Sequence, residues 1–167
     1  LGTGYSVLGA IAILNQIGLV RIEDKVIQQT IDELRIEKEK IKSHAIEFAR
    51  KIFESIPVIF AAEFLKGNAY VLRNQINETA KSFSAFSELP DLNHYLMEGL
   101  EKPTNKKLII LFLTSALYSH DLKKRITLTK EVVKKNSIPL LEYQPQGREK
   151  ISQIFNSLFF GGYLSLY

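Results

Sequence analysis

Apolar residues recur at steps of three and four along much of this chain. Ile27, Ile31, Leu34, Ile41, Ala45, Phe48 and Ile52 make one stripe, with Lys38 filling a gap. The stripe predicts a long helix over residues 23–54. A coiled-coil seam is one use of such a pattern. A single helix laid along a core fits better, because the stripe is broken and only about four heptads long. Upstream, residues 5–17 read as a buried helix that stops at Gly18. Downstream, Pro57 is expected to end the long helix, with a short buried strand over 58–61.

The rest of the chain alternates in the same way. Residues 63–81 predict a helix weakened at Gly67, and 82–90 read as irregular. Asp91 is placed to cap a short helix that runs through Leu100. Pro103-Thr104-Asn105 predicts a turn. Residues 108–114 are apolar on both faces, as a central parallel strand should be. A helix from Ser119 or His120 to Lys135 follows, with Lys134 and Lys135 favouring its carboxyl end and Asn136 capping it. Residues 138–143 predict a third strand, and 146–167 a last helix containing Gly161-Gly162. Strands separated by helices pair in parallel through right-handed crossovers. The expected fold is α/β, a three-layer helix–sheet–helix domain with a mostly parallel sheet.

Composition narrows the function classes. The 167 residues fit one domain and can bury a real core without staples. No cysteine is present, so disulfides and thiolate metal sites are excluded; a reducing cytoplasm is the compartment this fits. Basic residues exceed acidic ones only by 22 to 18. They gather between Lys102 and Lys135, but no aromatics are interleaved for stacking, so a solvated helix face is expected rather than a nucleic-acid surface. The apolar stretches 6–20 and 108–118 fall short of the about 20 residues a membrane helix needs. The chain begins at Leu1, has Met97 as its only methionine and ends at Tyr167 inside an apolar run, which predicts a piece of a longer product.

Most catalytic motifs are missing. There is no Gly-x-Gly-x-x-Gly loop, no Walker loop and no Gly-x-Ser-x-Gly elbow. His44, His94 and His120 lie too far apart for a compact metal motif, so no metal is expected. His44 falls on the polar side of the long helix. His120 falls where a strand gives way to a helix, an edge at which α/β proteins bind ligands, although Ser119-His120-Asp121 also reads as an ordinary helix start. The informative segment is 75–99, QINETAKSFSAFSELPDLNHYLMEG. Glu78 and His94 stand there on two elements joined by a short link. Converging on one ligand, they would supply a base and an acid that work near neutral pH. The alternative is an exposed Glu78 paired with Lys81, and a histidine that packs or caps.

This segment resembles the bifunctional phosphoglucose/phosphomannose isomerase family, part of the wider group of sugar isomerase (SIS) domains. Pro57-Val58-Ile59-Phe60 is similar to that family's strand. Gln75-Ile76-Asn77-Glu78-Thr79-Ala80-Lys81 is similar to its Gln-x-Asn-Glu-Asn-Ala-Lys signature, and Leu89-Pro90-Asp91-Leu92-Asn93-His94 to its histidine motif. Glu98-Gly99 and the opening Leu-Gly-x-Gly-Tyr-Ser extend the likeness. The resemblance implies a SIS-like, flavodoxin-like fold in which residues 1–167 form the second, C-terminal domain of a two-domain chain. It implies aldose–ketose isomerisation of a hexose phosphate through a cis-enediol, between glucose 6-phosphate and fructose 6-phosphate, with mannose 6-phosphate open as a further substrate. Glu78 matches the general base, and His94 the ring-opening histidine that reaches into a partner subunit's site. A homodimer and a cytoplasmic enzyme without cofactor are implied, and the phosphate loop would come from an N-terminal SIS domain not in this sequence. An arginine before Leu1 and a lysine after Tyr167 would complete the site. Thr79 departs from the family's Asn, and Ala61-Ala62-Glu63 from a Gly-containing strand end. These departures keep two other readings open: a non-catalytic SIS domain that binds phosphosugars for regulation or assembly, and a structural dimerisation domain.

Overall fold

A computed structural model describes residues 2–102 and 107–167. Its elements, in order, are α1 (Gly2–Gln16), α2 (Asp24–Ile52), β1 (Ile56–Ala62), a 3-10 turn (Glu63–Leu65), α3 (Lys66–Glu78) and β2 (Ala85–Leu89). They continue with α4 (Leu92–Gly99), β3 (Leu108–Leu113), α5 (His120–Lys135), β4 (Leu140–Tyr143) and α6 (Lys150–Leu166). The four strands form one parallel sheet in the order β2-β1-β3-β4. Strand order reverses between β1 and β3. The crevice outside the carboxyl ends of those two strands is where such folds bind ligands.

Each layer follows from side-chain alternation. Phe60 and Phe112 face each other across β1 and β3, edge to face at 5.3 Å. The Lys130 ammonium of α5 lies 5.5 Å from the Phe112 ring, so α5 covers that face. On the other face Tyr143 of β4 stacks on Phe160 of α6 at 3.6 Å, and Phe48 of α2 meets the edge of the same ring. There α6 packs against both α2 and α3. Leu34, Ile41, Ala45 and Phe48 are buried and Lys38 is exposed, as the stripe requires of a helix laid along a core.

Several expectations change. Residues 5–17 do form a helix, and Gly18 does end it with φ +74, but no residue of α1 is buried. Val7 and Ile11 rest against the core, while Tyr5, Ile13 and Ile17 face solvent. A helix apolar on every side covers itself only if elements surround it, and among the described residues only one side is covered. Pro57 does not end α2. It lies inside β1, and the helix stops in a turn with Glu54 at φ +62. Residues 82–90 are not irregular, because Ala85–Leu89 pairs with β1 as an edge strand. Its polar Ser87 and Glu88 are tolerable there because one side of the strand is open. Asp91 occupies the cap position of α4 but its side chain makes no capping hydrogen bond. By contrast, Ser119 caps α5 by accepting from Leu122 N–H. The last helix begins at Lys150, four residues late, because Glu149 before it is extended (φ −106, ψ 152) and Gly147 takes φ +133. The turn expected at 103–105 lies outside the described residues.

Candidate active site

Glu78 is the last residue of α3. In a parallel sheet the connecting helix runs back against the strands, so α3 starts at the sheet's carboxyl edge and ends at its amino edge. Glu78 is therefore at the amino edge, exposed, and among the described residues it makes no ion pair or hydrogen bond through its carboxylate. The alternative pairing with Lys81 is not formed: Lys81 takes φ +54 in the turn that follows. Asn77 fixes this turn. Its amide donates to the Arg73 carbonyl at 2.9 Å, and to the Ser84 carbonyl and hydroxyl at 3.1 Å. Its Oδ1 accepts from Ser84 N–H at 3.1 Å. One side chain thus ties the end of α3 to the entry of β2 and holds the neighbouring Glu78 between them.

His94 follows the other end of β2, in the first turn of α4, and is also exposed. Its neighbour Asn93 donates to Thr129 Oγ1 of α5 at 2.9 Å, and that hydroxyl donates to the Arg125 carbonyl. The same design recurs: an asparagine bonded to an adjacent element, followed by a solvent-facing titratable side chain. Glu78 and His94 are nevertheless not brought together. The five-residue β2 lies between them, and at about 3.3 Å per residue it holds them about 16 Å apart along the sheet. One protomer cannot close both groups on one small ligand.

The carboxyl edge carries groups that sequence reasoning did not select. Tyr118 donates to the Ala62 carbonyl at 2.8 Å, which ties the β3 loop to the end of β1. Burial pushes its phenol well above the ordinary range. Ser115 donates to Gln153 Oε1, and Gln153 donates to the Gly147 carbonyl at 3.0 Å, so a buried chain of polar groups fixes the loop before α6. Thr114 and Lys130 share Glu142 Oε1 at 2.8 and 2.5 Å. Glu63, in the segment that departs from the family's Gly-containing strand end, holds φ +44, a conformation glycine adopts freely. Tyr118, Ser115 and Thr114 carry no sequence signal, because each pairs with a residue remote along the chain. His44 is exposed on α2, and His120 is exposed at the start of α5, 3.6 Å from the Asp121 carboxylate. Among the described residues no three His, Asp or Glu side chains gather where they could hold a metal ion, and no helix is long and apolar enough to cross a membrane.

Known proteins place the chain. It is 25% identical to the bifunctional phosphoglucose/phosphomannose isomerase of Caldicellulosiruptor bescii, over 98% of this chain and 51% of that protein. It is 22% identical to the protein of the same name from Aquifex aeolicus, over 93% of this chain and 48% of that protein. The chain thus spans about half the length of these curated relatives. Among solved structures, a glucose-6-phosphate isomerase like protein from Thermus thermophilus superposes with a TM-score of 0.57 at 16% identity, covering 73% of this chain and 41% of that one. Glucosamine-6-phosphate deaminase from Thermotoga maritima gives 0.55 at 13% identity, covering 80% and 41%. These likenesses speak for the SIS-type fold alone. The family model for the bacterial phospho-glucose isomerase C-terminal SIS domain matches residues 41–167, three quarters of the sequence and the whole of the sheet. The chain belongs to the bacterial phospho-glucose isomerase C-terminal SIS domain family.

Proposed function

We propose that this chain supplies the proton-transfer groups of a hexose-phosphate isomerase, with Glu78 as base and His94 as the ring-opening group. The observation that carries the reading is the paired design of the two motifs. In a chain of this family, each of the two candidate groups faces solvent beside an asparagine that is bonded into a neighbouring element. Such support holds a reactive side chain in position without burying it.

In this reading His94 passes a proton between the ring oxygen and solvent or a neighbouring group as the hexose opens. The Glu78 carboxylate then takes the proton from C2 of the aldose, giving a cis-enediolate; as the O2 proton passes to O1, the carboxyl group returns its proton to C1 and the ketose forms. No electrons leave the substrate. Charge on the enediol oxygens needs donors or a cation, and a loop in an N-terminal SIS domain holds the phosphate. The separation of Glu78 and His94 along β2 favours a homodimer whose sites each take the carboxylate from one protomer and the imidazole from its partner. Glucose 6-phosphate and fructose 6-phosphate are the proposed substrates, mannose 6-phosphate a further one, and the cytoplasm the proposed compartment. Neither nucleic acid nor membrane enters the proposal.

Subunit mixing tests both the residues and the assembly. In the protein that contains this chain, Glu78→Gln and His94→Ala should each lower glucose 6-phosphate turnover at least 100-fold, the scale of a lost acid or base. Unfolding and refolding the two variants together should restore about a quarter of wild-type activity, because half of the dimers then carry one intact site. Turnover near wild type in Glu78→Gln removes it as the base. Inactive single variants with no recovery on mixing remove the shared site. Binding of fructose 6-phosphate without any turnover in the wild type favours the non-catalytic phosphosugar module instead.

A further inference from the structure

Strand β2 ends the sheet, and among the described residues no strand pairs with its outer side. The backbone N–H and C=O groups on that side point to where a further strand would lie. Open edges are commonly guarded by lysine, proline or a bulge. The five residues Ala85–Leu89 hold no lysine and no proline, and their register with β1 is unbroken. Their one charge, Glu88, is paired with the Lys66 ammonium at 3.1 Å. An exposed aromatic stands near each end of the strand: Phe83 in the link before it, 69% exposed, and Tyr95 in α4 after it, 52% exposed. Aromatic side chains are enriched as anchors of protein interfaces. The two candidate groups are disposed in the same way, Glu78 before β2 and His94 after it, about 16 Å apart along the strand.

Groups at opposite ends of one strand meet when a second copy of that strand runs the other way. In a two-fold interface residue i of one copy meets residue j of the other, and j meets i. With the axis at Ser87, the middle residue of β2, the amino end of each strand lies beside the carboxyl end of its partner. Phe83 is then carried toward the partner's Tyr95, and Glu78 toward the partner's His94, at both ends of the pair at once. The free backbone groups of the two edges satisfy one another. Two Ser87 hydroxyls face each other at the centre, and Glu88 stands opposite the partner's Phe86 rather than its own copy, so no like charges are set directly across. A copy added in parallel would instead place Glu78 beside Glu78 and leave His94 as far away as before.

We propose that two copies of this chain join edge to edge along β2, antiparallel about Ser87, with Phe83 of each against the partner's Tyr95 and Glu78 facing the partner's His94. The facing of Glu78 and the histidine as a working pair rests on the isomerase reading; the interface does not. The chain has no cysteine, so one introduced thiol reports on the axis. Residues directly opposite in an antiparallel pair have Cα atoms about 4.5–5.5 Å apart, within the span of a disulfide. Ser87→Cys should therefore link to a second copy on mild oxidation and run, without reductant, at twice the chain's 19.0 kDa. In sedimentation equilibrium the 167-residue chain should be a dimer, and the Phe83→Asp/Tyr95→Asp double variant should associate at least 100-fold more weakly. Both side chains are exposed, and melting curves check that this variant folds. If it does not fold, the cross-link still decides. A monomeric wild type overturns the proposal, and so does a folded double variant that associates as tightly as wild type. A dimer in which Ser87→Cys does not cross-link has its axis elsewhere and overturns it too. Dissociation by Ile13→Asp/Ile17→Asp, with none from the changes beside β2, assigns the interface to the uncovered side of α1 and has the same consequence. None of these readouts uses turnover. A dimer through β2 in a protein that isomerises no hexose phosphate would sink the isomerase reading and keep the interface.

Discussion

At the scale of single residues, Gly147 shows how one backbone angle limits a position. Its φ of +133 lies outside the range open to side-chain-bearing residues, and a Cβ there would stand 2.5 Å from the Ser152 Cβ and 3.2 Å from the Gln153 nitrogen. Neither contact can relax by turning a flexible side chain. Gly147→Ala should therefore cost about 2 kcal/mol or more, measured by urea unfolding, and a midpoint equal to wild type would show that the loop has another conformation within reach. Gly161 has a different reason to be glycine. A Cβ there would collide with Gln75 Oε1, the end of a side chain that α3 lays against α6. The Gln75 of the signature is thus a packing residue, and the Gly161-Gly162 pair noted in the sequence makes room for it.

At the scale of elements, the joint between α3 and β2 rests on Asn77 more than on apolar contact. Phe83 in the link is exposed and β2 is only partly buried along most of its length. Replacing Asn77 with Ala leaves the Ser84 N–H without its acceptor, although the Ser84 hydroxyl keeps its bond to the Arg73 carbonyl, and should cost about 1–3 kcal/mol. The local effect should exceed the global one. Amide exchange at Ser84 should speed up markedly while exchange in β3 changes only as much as overall stability does. Uniform acceleration across the sheet would mean that Asn77 supports the whole fold rather than this joint. Asn77→Asp retains the acceptor for Ser84 N–H but loses the donor to three oxygens, so it should fall between wild type and Asn77→Ala. The edge strand β2 itself escaped the hydrophobic pattern, because Ala-Phe-Ser-Glu-Leu has neither an unbroken apolar run nor strong alternation. What makes it a strand is the open flank of β1, which no local pattern records.

At the scale of the whole molecule, two buried phenols link stability to alkaline pH. Tyr118 joins the β3 loop to β1, and Tyr143 joins β4 to α6 through Asn156. Burial raises both far above the ordinary value of 10.0, and the carboxylates of Glu63 and Glu37 push Tyr118 and Tyr143, respectively, further the same way. A group whose folded value is raised contributes its full stability below the unfolded value and loses it above. The melting temperature should therefore be insensitive to these groups up to about pH 9 and fall steadily above about pH 10. Tyr118→Phe and Tyr143→Phe should each lower the melting temperature at about pH 8 and flatten the alkaline fall. An alkaline slope unchanged in the double variant would assign the loss to other groups.

The alternation of helix and strand, the parallel sheet and the long stripe of α2 were legible in the sequence, because each depends on the spacing of apolar residues within one element. Glu78 and His94 were legible only as motif positions: spacing said that they lie sixteen residues apart, and nothing in it fixed a direction. The tertiary structure decided that α3 returns to the amino edge while α4 leaves from the carboxyl edge, so the two side chains stand at opposite ends of β2. It also decided that the apolar helix α1 lies mostly uncovered among the described residues, that Pro57 sits within β1, and that Arg21 and Arg148, 127 residues apart in the chain, line one cavity. Local periodicity is a property of neighbours along the chain. Convergence is a property of elements that meet only once the sheet has set their order.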